Sequence, residues 1–131
     1  MNIGDIYQRT PLHWASSSGH LETVKYLVSQ RAQVNIGDNN QGTPLHLASL
    51  NGHLDIVKYL VSQGALVNIG DNDQSTPLHW ASDSGHLETV KYLVSQGAQV
   101  NIADKYNNTP IDDAKSQGHQ EVVSYLESNS K

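Results

Sequence analysis

Apolar residues along this chain fall into two alternating patterns. The first is a short cluster such as "PLHWAS" at Pro11–Ser16, introduced by a threonine. The second is the longer "HLETVKYLVSQ" at His20–Gln30. There Leu21, Val24, Leu27 and Val28 stand at i, i+3, i+6 and i+7, one apolar stripe of an amphipathic helix. The first cluster predicts a helix of about two turns with Thr10 as N-cap and Pro11 at its first position. His13 takes the last place of a capping box, so its ring reaches back toward Thr10. Gly19 is a left-handed stop for that helix. Glu22 lies in the first turn of the second helix, where the helix dipole favours negative charge. The stretch after each second helix, "ALVNIGDNDQS" at Ala65–Ser75 for example, is rich in Asn, Asp and Gly. It predicts a turn-rich connection or a short hairpin.

The two patterns recur with a period of 33 residues. "TPLHWAS" at Thr10–Ser16 returns unchanged at Thr76–Ser82, with "TPLHLAS" at Thr43–Ser49 between them. The units run 10–42, 43–75, 76–108 and a shorter 109–131, with 1–9 as the tail of a preceding unit. The first and third differ at only 7 of 33 positions, four of these being the last four of the unit. Such self-similarity points to one domain of stacked supersecondary units spanning 1–131. The predicted core is the recurring stripe of Leu12, Leu45, Leu78, Val24, Val57, Val90, Leu27, Leu60 and Leu93.

The phrase T-P-L-H-x-A, then G-H, then a second helix, then G-A-x-V-N, resembles the ankyrin repeat over essentially the whole chain. The resemblance implies an all-α solenoid of stacked helix-turn-helix units with hairpin-like tips. It implies a concave face of tips and first helices, and a role in binding other proteins. Two departures carry expectations. The family has glycine three residues after the tip aspartate, where this chain has Gln8, Gln41, Gln74 and Asn107. A positive φ there fits glutamine badly and asparagine tolerably, so tips of altered shape or greater mobility are expected. Gly64 and Gly97 stop the second helix of later units, whereas Arg31 removes that stop from the first. The family's V-N step can be hydroxylated at asparagine, which makes Asn35, Asn68 and Asn101 candidates. The preferred acidic residue two places earlier is replaced by Gln33, Leu66 and Gln99.

Composition narrows the function classes. Hydrophobic residues make up 37%, with two Trp and no Phe, lean for a single central core but sufficient for units that pack only on neighbours. Cysteine is absent, which excludes disulfides and thiolate metal sites and is compatible with an intracellular, cytoplasmic setting. No apolar run approaches the ~18 residues of a membrane span, and the polar "MNIGDIYQ" is no signal peptide. The net charge of −5 arises wholly from residues 71–131, with nine acids against four bases. An acidic chain without a basic stripe is a poor binder of nucleic acid or anionic membrane.

No cofactor, metal or catalytic machinery is expected. All seven histidines fall on repeat positions: His13, His46 and His79 in T-P-L-H, and His20, His53, His86 and His119 in G-H. Helix capping and bonds between neighbouring turns explain them, and no carboxylate is expected to converge on them for a metal. Adjacent Asp112 and Asp113 point about 100° apart on a helix, which suits no shared substrate. No phosphate-binding G-x-x-x-x-G-K-[ST] occurs. Trp14 and Trp80 are of a type that anchors partners, but they stand at the place of Leu47 within the repeat, so core packing is the first reading and a partner anchor the second. Tyr26, Tyr59, Tyr92 and Tyr125 are read as repeat packing.

In the fourth unit, "TPIDDAK" at Thr109–Lys115 replaces "TPLHWAS". Ile111-Asp112-Asp113 is read as a polar, solvent-facing end, that of a C-terminal capping repeat. The first unit shows no such device. It reads as the weak end of an array cut from a longer one or assembled without a cap. A monomer is expected, with weak self-association through that end. The expected function is protein–protein interaction on the concave face. An engineered or idealised array without an evolved partner is the competing reading. Positions where the units disagree define the candidate face: Ile6, Tyr7, Arg9, Ser17, Ser18, Asn39, Asn40, Leu50, Asn51, Asn72, Asp73, Ser75, Asp83, Ser84, Lys105, Tyr106, Asn108, Ser116 and Gln117. Tyr7, Leu50 and Tyr106 are its apolar anchors. Asp71, Asp73, Asp83, Asp104, Asp112 and Asp113 point to a basic partner segment.

Overall fold

The computed structural model describes residues 7–130. Eight helices follow in four antiparallel pairs: α1 (Pro11–Ser18) with α2 (Leu21–Ser29), α3 (Pro44–Leu50) with α4 (Leu54–Ser62), α5 (Pro77–Ser84) with α6 (Leu87–Ser95), and α7 (Pro110–Ser116) with α8 (Gln120–Ser128). The described residues contain no strand. The pairs stack in a line. The inner row α1, α3, α5, α7 packs closely, while the outer row α2, α4, α6, α8 touches more sparsely. Unequal packing of two rows curves a stack toward the tighter one, so the inner helices lie on the hollow side.

Each inner helix opens on the same cap. Thr10, Thr43 and Thr76 accept a hydrogen bond from the backbone N–H of His13, His46 and His79. Each threonine N–H in turn donates to the histidine Nδ1 at 3.0–3.1 Å. Because Nδ1 accepts, the proton sits on Nε2. That N–H donates across to the carbonyl of Gly42, Ser75 or Asn108 at 2.9 Å. One neutral imidazole thus caps its own helix and ties it to the tip of the next pair. Burial holds all three rings below the usual 6.5, since a charged ring there loses its hydration. In the last pair Asp112 does the same capping, its Oδ2 accepting from Thr109 N–H at 2.9 Å.

The G-H histidines lock the pairs at the other end. His53 and His119 approach the carbonyls of Ser17 and Asp83 at 3.0 Å through Nε2. The rings of His53, His86 and His119 lie against Gly19, Gly52 and Gly85, where a Cβ would come within 2.5–2.8 Å of the ring. Glycine is required there for space as well as for its positive φ. Asn35 and Asn68 stitch the connectors, their Nδ2 donating to Gly64 and Gly97 carbonyls and their Oδ1 accepting from Leu66 and Gln99 N–H.

The core is continuous through the stack. Leu12, Leu45, Leu78, Val24, Val57, Val90, Leu60 and Leu93 are buried. Leu27 is the exception, half-buried on the outer side of the first pair, where α2 has no further helix beside it among the described residues.

Two expectations about the backbone are corrected. Gln8, Gln41, Gln74 and Asn107 adopt φ of 57°, 62°, 62° and 69°, so the tips take the left-handed turn despite lacking glycine. Asp38 shows why: its backbone N–H donates to Gly42 O, and its Oδ1 accepts from the N–H groups of Asn40 and Gly42. Asp71 and Asp104 repeat the arrangement, and the closed turn fixes the conformation whatever side chain it carries. Arg31 likewise takes φ 71° and keeps the helix stop. Its N–H donates to Val28 O and that of Ala32 to Leu27 O, as around Gly64.

Candidate partner-binding face

The tips join one to the next by single backbone bonds. Asn39 N–H donates to Tyr7 O, Asn72 N–H to Asn40 O, and Lys105 N–H to Asp73 O, at 2.8–2.9 Å. They form a rim beside the inner helices. Between this rim and helices α5 and α7 lies a cavity of about 390 Å³. Leu50, Asp71, Asp73, Ser75, His79, Trp80, Asp83, Asp104, Tyr106 and Asp113 line it. Among the residues singled out from sequence variation, this groove gathers Leu50, Asp73, Ser75, Asp83 and Tyr106. Tyr106 is 64% exposed.

The rest lie apart or are engaged with neighbours. Ile6 falls outside the described residues. Tyr7 and Arg9 belong to a separate cluster at the first pair. Ser17 supplies its carbonyl to His53 and to Asn51 Nδ2. Asn72 Nδ2 donates to Asn39 O, and Asn40 is exposed beside them. Lys105 pairs with Asp73 at 3.2 Å and lies over the Tyr106 ring. Asn108 gives its carbonyl to His79. Ser18, Ser116 and Gln117 are exposed and Ser84 half-buried at the ends of the inner helices.

Two expectations about this side of the molecule fail. Trp14 and Trp80 are not core: Trp14 is 45% exposed and Trp80 is half-buried, its ring meeting the edge of His46 at 4.9 Å. Only Leu47 of the three is enclosed. The position points off the packed stripe toward the tips, where Trp80 meets Asp73, Asp104 and Tyr106 in one lining. Asp113, the fourth residue at that position, does not face away into solvent. It is half-buried and lines the groove. Burial pushes its carboxyl up to about 7, helped by the charges of Asp104, Asp83 and Asp112. A signal for Trp80 and Asp113 existed in the sequence: the fifth residue of the phrase varies from Trp to Leu to Asp, an aromatic-to-charged change that no predicted core position shows.

Carboxylates do converge on one histidine, contrary to expectation. His79, Asp104 and Asp113 bring ligand atoms within 4.8 Å of one another. Both ring nitrogens of His79 are already used, Nδ1 by Thr76 N–H and Nε2 by Asn108 O. Binding a metal there would break a helix cap, so the residues do not fit a metal site.

A repeat stack with a rim of tips over short inner helices is the architecture of a protein-interaction solenoid. The family profile for ankyrin repeats (3 copies) matches residues 1–73 and 63–131. The chain belongs to the ankyrin repeat family. Ankyrin repeats are in general protein–protein interaction modules and are typically non-enzymatic. A search among curated proteins finds no match. No helix among the described residues is long and apolar enough to cross a membrane.

Proposed function

We propose that this chain binds a basic segment of another protein along the rim of tips and the inner helices, centred on the groove between the second and fourth pairs. The observation that supports this is the lining of that groove. Five aspartates surround Leu50, Trp80 and Tyr106, no lysine or arginine among the described residues is in the lining, and Lys105 pairs with Asp73 at its edge. Exposed aromatic and aliphatic area supplies binding energy once water is excluded. The acidic surround steers a cationic partner and rejects an anionic one.

The test is a random-peptide display selection against the whole chain. Enriched peptides should be basic. Alanine at Asp83 and Tyr106 should weaken them by about tenfold or more, the loss expected of an interface anchor. Alanine at Tyr26 and Glu88, on the outer helices, should leave binding unchanged. Weakening by the second pair of changes and not the first would place the partner on the wrong side of the molecule for this reading.

A further inference from the structure

The first helix pair already holds a guanidinium at the place corresponding to the groove. Arg9 sits with its guanidinium carbon 5.0 Å from the Tyr7 ring centre and 5.3 Å from that of Trp14. Its Nε donates to Asp38 Oδ2 at 3.2 Å. Asp38 is only 3% exposed and lies under that side chain. An aromatic face and a carboxylate together suit a planar, weakly hydrated cation better than a compact ammonium.

Two repeats further on, the same positions recur with one change. Trp80 stands for Trp14 and Asp104 for Asp38, but Ser75 stands for Arg9. The wall and the carboxylate remain and the arginine is gone, while Lys105 is drawn aside to Asp73 and the Tyr106 ring. More acceptors have been added. Asp113 brings a carboxylate oxygen within 4.8 Å of one on Asp104, and Asp83 lies in the same lining. The hydrogen bonds that His119 Nε2 and Ser116 Oγ make to Asp83 and Asp113 go to their backbone carbonyls and not to their carboxylates. Tyr106 supplies a second ring at the rim. Two carboxylates this close repel unless a cation or a proton lies between them; burial first, and then the charge of Asp104, raises the titration of Asp113.

Resting on the face assigned above, we propose that the groove between α5 and α7 is a receptor for a single arginine side chain of the partner protein. The guanidinium stacks on Trp80 and bridges the carboxylates of Asp104 and Asp113, reproducing in trans what Arg9 does in cis. Arginine is favoured over lysine because its planar fork satisfies two carboxylates while one face stays on the ring.

The experiment is an NMR titration of the intact chain at physiological salt with N-acetyl-arginine N-methylamide, alongside its lysine and citrulline counterparts. Citrulline keeps the shape and removes the charge. The arginine probe should shift the Trp80 indole N–H and the amides of Asp104, Tyr106 and Asp113 saturably. The citrulline probe should give no shift and the lysine probe a weaker one. Ser75→Arg supplies the missing side chain internally and should weaken the probe by about tenfold or more, the loss of one charged, bidentate contact. Asp113→Asn should weaken it as well, and both variants should keep the wild-type circular dichroism. Equal shifts from arginine and lysine, or an unchanged affinity in Ser75→Arg, would overturn the arginine receptor. Display-selected peptides separate this from the broader reading. If they lose affinity on Asp83 and Tyr106 replacement yet tolerate citrulline for every arginine, the face stands and the receptor falls. If they lose affinity on Tyr26 and Glu88 replacement instead, the face itself falls.

Discussion

At the scale of single residues, the stack carries small penalties that the repeat copies faithfully. Ser16, Ser49 and Ser82 bury hydroxyls with no hydrogen-bond partner. An unpaired buried hydroxyl costs about 1 kcal/mol or more. Ser49→Ala should therefore stabilise the chain by about 1 kcal/mol, read as a higher midpoint in urea. Gln74 holds a left-handed turn that costs a side-chain-bearing residue about 1 kcal/mol. Gln74→Gly should recover part of that and leave helix content unchanged; a loss of stability would show that the side chain holds the turn. Asp113 offers a pH-dependent case. Its folded titration point, about 7, lies above the ordinary 3.8. The folded state therefore binds the proton more tightly, and stability declines as pH rises from about 4 through 7. Asp83, Asp104 and Asp112 oppose its ionisation, and His79 stands beside it. Asp113→Asn should be more stable than the parent at pH 8 and nearly equal to it at pH 4.

At the scale of elements, the inner histidines couple each helix to the next tip, and their protonation state matters. His13, His46 and His79 titrate below 6.5 because burial disfavours the cation. A base with a lowered folded pKa leaves the unfolded chain binding more protons. Their contribution is complete above pH 6.5 and is lost as pH falls through the lowered folded values. This slope opposes that of Asp113, so it is cleanest in the Asp113→Asn background. Urea titrations there from pH 7.5 to 5 should show falling stability, and a flat profile would contradict the neutral caps. These helices were largely legible in the sequence, since threonine caps, proline starts and the i, i+3, i+7 stripe act within a turn or two of their own residue. The αL turns at Arg31 and Gln74 were not, because closure of the surrounding backbone outweighs a local preference of about 1 kcal/mol.

At the scale of the whole molecule, stability is distributed unevenly along the stack. Only Val24 is buried in α2, against three residues in each of α4, α6 and α8. In a solenoid each pair relies on its neighbours, so the least buried pair opens first. Amide exchange should be fastest in residues 10–34 and slowest in residues 43–100. Partner binding at the acidic groove should weaken with added salt chiefly through the association rate.

Repetition is what could be read along the chain: the period, the two helices per unit, the caps, and most of the core. Those rest on contacts within a unit or between identical neighbours, so one unit predicts the next. Packing across the stack set the rest: Trp80 lines a groove, Asp113 turns inward beside Asp104, and Arg9 fills in the first pair a place that Ser75 takes in the third. Those contacts cross the boundary between one unit and the next, as Arg9 does to reach Asp38 and Asp113 to meet Asp104, and they involve positions where the units differ. Helical periodicity says which way such a side chain points, but the tip curling over from the next pair decides what it meets.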